Sequence, residues 1–132
     1  LLMGATGILA VNISLFEKLS YDPRRDFAPV VHVASAPLVV VVAADSGVRS
    51  IRELIFAAKK PGAPVTYASA GPGSPQHITA ELFKYLTKAQ MIHVPYKSAG
   101  LSIVSVLSGE TAVSFEAMIP ALPHVKAGKL RA

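Results

Sequence analysis

The chain has 132 residues, 52% of them hydrophobic and 16% charged, which excludes a disordered or collagen-like polymer and suits one domain with a real core. Its 13 Lys and Arg against 8 Asp and Glu give a formal charge of +5, but the basic residues stand singly or in pairs such as Arg24-Arg25 and Lys59-Lys60. Without a basic run interleaved with aromatics, nucleic acid is not an expected partner, and with no cysteine a disulfide framework or thiolate metal site is excluded.

The N-terminal "LLMGATG" carries no basic segment and no clear cleavage site, so it does not read as a signal peptide. The chain begins abruptly with this run, "GKLRA" at the other end stops just as a new element begins, and both ends read as cut. Residues 11–30 mix a short helical pattern with a turn at Asp22-Pro23. The Val-rich stretch 30–44 predicts two strands, about 30–35 and 38–43, divided at Ala36-Pro37. The second is apolar throughout, as expected of a strand covered on both faces. The run 36–44 falls far short of the roughly 20 residues a membrane span needs.

Ser50 and Glu53 form a capping box for a helix with Ile51, Leu54, Ile55 and Ala58 on one face, stopped by Pro61-Gly62. "VTYAS" (65–69) predicts a strand. Ser74 then caps a helix with Pro75 in its first turn and an apolar stripe of Ile78, Leu82, Phe83 and Leu86. "MIHVPY" is a strand. "AGLSIVSVLSG" is a helix with Leu101, Val104 and Leu107 on one face. "TAVSFEA" is a strand, "PALPHVKAG" a short helix, and "KLRA" starts a further strand. Strands alternating with helices predict an α/β fold with a mostly parallel sheet and flanking helices. The loops 69–75, 95–100 and 115–119 should then open on one edge, where ligands of such sheets bind.

"SAGPGS" (69–74) joins a strand end to a capped helix start. Gly71 and Gly73 keep side chains away from the backbone N–H groups. The helix start adds bare N–H groups and partial positive charge, a combination suited to a carboxylate or phosphate. An ordinary glycine turn is the competing reading. The loop lacks the lysine and the third glycine of the nucleotide-binding motifs. In "VPYKSAG" (94–100), Tyr96 and Lys97 offer a hydroxyl and a cation; equally, they are a packed ring and a solvated charge. No nucleophile elbow, carboxylate pair or histidine set at ligand spacing is present. Catalytic and metal roles are therefore not expected, nor is a cofactor. His32 and His93 read as core or edge residues of strands, and His77 as a residue that caps or packs.

In order, "YDPRRDFAPV", "YASAGPGSPQHITAELF", "HVPYKSAG" and "LPHVKAGKLRA" resemble the Bug/TctC family, the solute-binding receptors of tripartite tricarboxylate transporters. The resemblance implies one lobe of a periplasmic-binding-protein type II fold, a small carboxylate ligand held partly by backbone N–H groups, a membrane permease as partner and a periplasmic location. It carries over Thr6 and Gly7 from a first-lobe loop, Ser69, Ala70, Gly71, Gly73 and Ser74 from the anion loop of the second lobe, and Tyr96 and Lys97 beside it. Glu116 falls where the family often has an aspartate. Pro72 stands where an Asn is common and Ser98 where Gly is common. Family members are about twice as long. Residues 1–27 would therefore be a remnant of the first lobe, a strand and a helix, and residues 28–132 the second lobe with its return strand cut. Surface left without its native cover would favour a homo-oligomer. The alternative reading is a truncated lobe that serves only as a structural or oligomerisation module.

Overall fold

The computed structural model describes residues 1–62 and 64–132. They form two compact units, Leu1–Ser35 and Ala36–Ala132.

In the first unit, a turn of π-helix (Gly7–Val11) runs into a short helix α1 (Asn12–Leu15). The Tyr21 hydroxyl donates to the Ile8 carbonyl at 3.0 Å and accepts from Asn12 Nδ2 at 3.2 Å. The Asp22-Pro23 turn is closed by Asp22 Oδ1, which accepts the Arg24 N–H at 2.9 Å, and by Asp26 Oδ2, which accepts the Asp22 N–H at 2.7 Å. The strand expected at 30–35 is not formed, and no strand lies among residues 1–35. Val30, Val31 and Val33 are exposed at 79, 75 and 72%. A β-branched sequence becomes a strand when a neighbour takes up its N–H and C=O groups, and within this unit none does. His32 accordingly lies in the open, beside Ser35 Oγ at 3.2 Å.

The second unit runs β1 (Leu38–Ala43), α2 (Ile51–Lys59), β2 (Val65–Ser69), α3 (Pro75–Thr87), β3 (Met91–Pro95), α4 (Ala99–Leu107), β4 (Val113–Ala117), α5 (Met118–Lys126), β5 (Leu130–Arg131). Serine starts three of these helices. Ser50, Ser74 and Ser98 each accept an N–H from three residues on, at 3.2, 3.3 and 3.3 Å. Each thereby satisfies a donor that the helix cannot.

The sheet order is β3-β2-β4-β1-β5. β2 pairs parallel with β3 and with β4, while β1 pairs antiparallel with β4 and with β5. Four strands therefore run one way and β1 alone runs back. Ser69 is level with Pro95, Ala68 with Ser114, and Leu38 with Ala117. The carboxyl ends of β2, β3 and β4 thus line up on one edge, as the βαβ pattern requires.

Alternation along β1 explains its uninterrupted apolar sequence. Val40 and Val42 face a core completed by Leu54 and Ala58 of α2, Ala80 and Phe83 of α3, Tyr67 and Phe115. Val39 and Val41 face a second core with Ile103 and Val106 of α4, Ala121 of α5 and Leu130. The result is a sheet with two helices on each face.

Two helices are rotated from the expected orientation. In α3 Phe83 turns inward, but Ile78, Leu82 and Leu86 are exposed at 38, 54 and 69%. Gln76 and Ala80 are the buried residues instead. In α4 Leu101 and Val104 face outward, and Ser102, Ile103, Ser105 and Val106 are buried. Two of the inward polar residues, Gln76 and Ser102, donate to the buried Glu116.

Candidate functional site

Three helices begin at the shared strand edge: α3 after β2, α4 after β3 and α5 after β4. Their N-terminal ends bring partial positive charge to one rim. Between β2 and α3 the loop 69–74 folds on itself. Ser69 is fully buried, and its Oγ accepts the Gly71 N–H at 3.0 Å and lies 2.6 Å from His93 Nε2. The Gly73 N–H donates to His77 Nδ1 at 3.2 Å, and the Ser74 N–H to the Gly71 carbonyl at 3.2 Å. These amides, expected to be bare, are engaged within the loop, and Pro72 and Pro75 have no N–H to offer. The amides of Ala70 and Gln76 make no hydrogen bond among the described residues. The same holds for Ala99 and Gly100 at the start of α4. The donors free at this rim therefore lie at the two ends of the loop and on the next helix, rather than at its glycines.

The glycines shape the turn. Gly71 has φ +110° and Gly73 φ +77°, conformations that L side chains rarely adopt. A Cβ on Gly71 would also stand 3.4 Å from the Tyr96 carbonyl oxygen. Tyr96 N–H donates to the Ser69 carbonyl at 2.9 Å, which stitches the two loops together.

Other expected site residues take different places. The Tyr96 ring packs against the second core, and its hydroxyl is enclosed with no hydrogen-bond partner among the described residues. Lys97 is exposed beside it. Glu116 is fully buried beneath the loops. Its Oε2 accepts from Gln76 Nε2 at 3.3 Å, and its Oε1 from Ser102 Oγ at 2.5 Å and Ser114 Oγ at 2.6 Å. Thr6 and Gly7 belong to the first unit, where Gly7 opens the π-helical turn and Thr6 precedes it. Gln76, Ser102, Ser114 and His93 were not singled out from the sequence as part of the site. Isolated polar residues inside "LSIVSVLSG" and "AVSFEA" were the available signal, since a buried polar group needs a partner.

His93 stacks between Tyr67 and His77, with ring centroids at 4.9 and 4.3 Å. Burial, with His77 beside it, holds His93 below the ordinary histidine range. No cluster of three potential metal ligands occurs among the described residues. What the rim offers is a set of neutral main-chain donors, helix-end charge and one exposed lysine. Donors of this kind at helix starts suit a negatively charged group.

The whole sequence, residues 1–132, matches the family described as the tripartite tricarboxylate transporter family receptor. BugT of Bordetella pertussis is 35% identical over 132 residues, 100% of this chain and 40% of its own length. A solved structure of a periplasmic transporter superposes with a TM-score of 0.87 at 31% identity, covering 96% of this chain and 43% of that one. R. palustris Rpa4515, solved with adipate, gives 0.80 at 28% identity over 88% of this chain and 39% of its own. The chain thus spans about 40% of the length of the curated relative BugT.

Proposed function

The chain belongs to the tripartite tricarboxylate transporter receptor family, and on that premise we propose that it supplies one wall of a receptor cleft for a small dicarboxylate. The observation that carries this reading is the convergence of the α3 and α4 starts on one strand edge, with the Ala70, Gln76, Ala99 and Gly100 amides free there. Neutral donors at helix N-termini favour a carboxylate without fixing what lies behind it. The adipate found with Rpa4515 supports a linear dicarboxylate as the ligand class. Lys97 adds a positive charge beside the same edge and would draw the ligand in. In this reading the ligand-loaded receptor delivers its solute to a membrane permease, and it works in the periplasm.

Calorimetric titration with adipate, succinate, malate and citrate tests the reading. The expected result is saturable binding of at least one diacid, weakened when one of its carboxylates is replaced by an uncharged amide. Absence of saturable binding by every acid in the series would overturn it.

A further inference from the structure

His77 on the first turn of α3 and His93 on edge strand β3 hold the 69–74 loop between them. His93 Nε2 meets Ser69 Oγ at the entry, and His77 Nδ1 accepts the Gly73 N–H near the exit. The second contact fixes a protonation state. A backbone N–H can only donate, so Nδ1 must present its lone pair, and a neutral His77 carries its proton on Nε2. An imidazolium carries protons on both nitrogens, which sets Nδ1–H against the Gly73 N–H. His93 has more latitude. Once it is protonated, the Ser69 hydroxyl can turn to the Gly71 carbonyl, 3.3 Å away, and accept from Nε2.

The surroundings oppose a second charge on the pair. The two rings are stacked at 4.3 Å with 22° between their planes, so two imidazolium ions there would repel. On the far side of His93 stands Tyr67 of β2, whose hydroxyl donates to Glu81 Oε1. Glu81 lies one turn beyond His77 on α3, and it is already paired with Lys84 at 2.7 Å. Burial opposes ionisation of Glu81, yet the Lys84 and Tyr67 hydrogen bonds keep its carboxyl below the usual range. Lys84 Nζ stands 5.7 Å from the Tyr67 ring centre and adds a positive charge to the same neighbourhood. Among the described residues, neither imidazole hydrogen-bonds to a carboxylate.

We propose that His77 and His93 are positioning residues of the ligand loop: the neutral His77 ring holds the Gly73 amide through Nδ1 and His93 holds Ser69, so that loss of the Nδ1 acceptor frees the Gly73 amide and loosens that wall. The inference rests on the functional reading above only for the word ligand; the loop itself can be followed without one.

The test is the hydrogen-exchange protection of the Gly73 amide, read by NMR at one pH in the wild type and in two variants. His77→Phe keeps a stacked ring without an acceptor, and its Gly73 protection is expected to fall by about tenfold, the scale of one lost hydrogen bond. His77→Asn places an amide oxygen near the position of Nδ1, and its Gly73 should stay protected. Protection unchanged in His77→Phe, or lost equally in His77→Asn, overturns the proposal. Adipate affinity measured alongside separates the two claims. Weakened affinity in His77→Phe but not in His77→Asn supports both. No adipate binding with Gly73 protection lost in His77→Phe rejects the functional reading and retains the positioning role. Adipate binding with an unresponsive Gly73 rejects the positioning role alone.

Discussion

Gln76 and Glu116 stand 40 residues apart in sequence and meet side chain to side chain, Gln76 Nε2 donating to Glu116 Oε2 at 3.3 Å. The contact ties the first turn of α3 to the end of β4. Ser102 of α4 donates to the other carboxylate oxygen, and the single hydroxyl proton of Ser114 of β4 is placed between that oxygen at 2.6 Å and the Ala68 carbonyl at 3.0 Å. The three connections that open on the strand edge are thus fastened from below by one acid.

Removing that acid leaves buried donors without an acceptor. Glu116→Ala is expected to lower the unfolding free energy by about 3 kcal/mol, and Glu116→Gln by about half as much because its amide oxygen still accepts. Urea denaturation measures both. A loss in Glu116→Ala no larger than that of an ordinary surface substitution contradicts the fastening role.

Gly71 and Gly47 both have positive φ, +110° and +79°, but a Cβ meets the Tyr96 carbonyl in the first and open space in the second. Gly71→Ala should cost about 2 kcal/mol and Gly47→Ala about 1 kcal/mol. Thermal unfolding of the two variants decides it. Equal losses would show that the loop does not press on the neighbouring strand end.

The orientation of α3 separates adjacent residues. Leu82 faces out, while Phe83 packs on the first core with its ring 5.5 Å from that of Phe115. Leu82→Gln should change stability by under about 0.5 kcal/mol and Phe83→Ala should cost about 3 kcal/mol. A loss at Leu82 as large as that at Phe83 would place the helix as its apolar periodicity suggested, with both residues inward.

That contrast marks how far the sequence could be read. The strands of the second unit, its helix starts and the shared strand edge were legible because serine caps, Gly and Pro punctuation and β-branched runs act locally. The inward faces of α3 and α4 were not. Polar residues of both helices turn inward, Gln76 of α3 and Ser102 of α4 to meet Glu116, which lies far along the chain, so apolar periodicity did not choose the face. The strand expected at 30–35 failed for a related reason, since strand formation needs a partner that no local pattern supplies. The loop 69–74 was recognised as a glycine-rich turn before a helix, but its amides are occupied by Ser69 and His77. That self-satisfaction moves the free donors to Ala70 and Gln76, and side-chain geometry of this kind is invisible in the sequence.

Acid should weaken the fold through His93. Its folded-state value lies below the ordinary one, so the fold favours the neutral ring. The stabilisation is complete above the unfolded-state value, about 6.5. It is lost as pH falls from there through the lowered folded value. The urea midpoint should therefore drop between about pH 7 and about pH 5, and His93→Gln should flatten that part of the profile. A wild-type midpoint that rises over the same interval contradicts this.

The most direct measurement of the central claim is a map of backbone amide shifts as adipate is added. The expected result is a saturable response centred on Ala70, Gln76, Ala99 and Gly100, with α2 and β5 unmoved. A response confined to the opposite end of the sheet, around Val48, Ile51 and Arg131, or no saturable response at any residue, would contradict the assignment of the ligand wall to this strand edge.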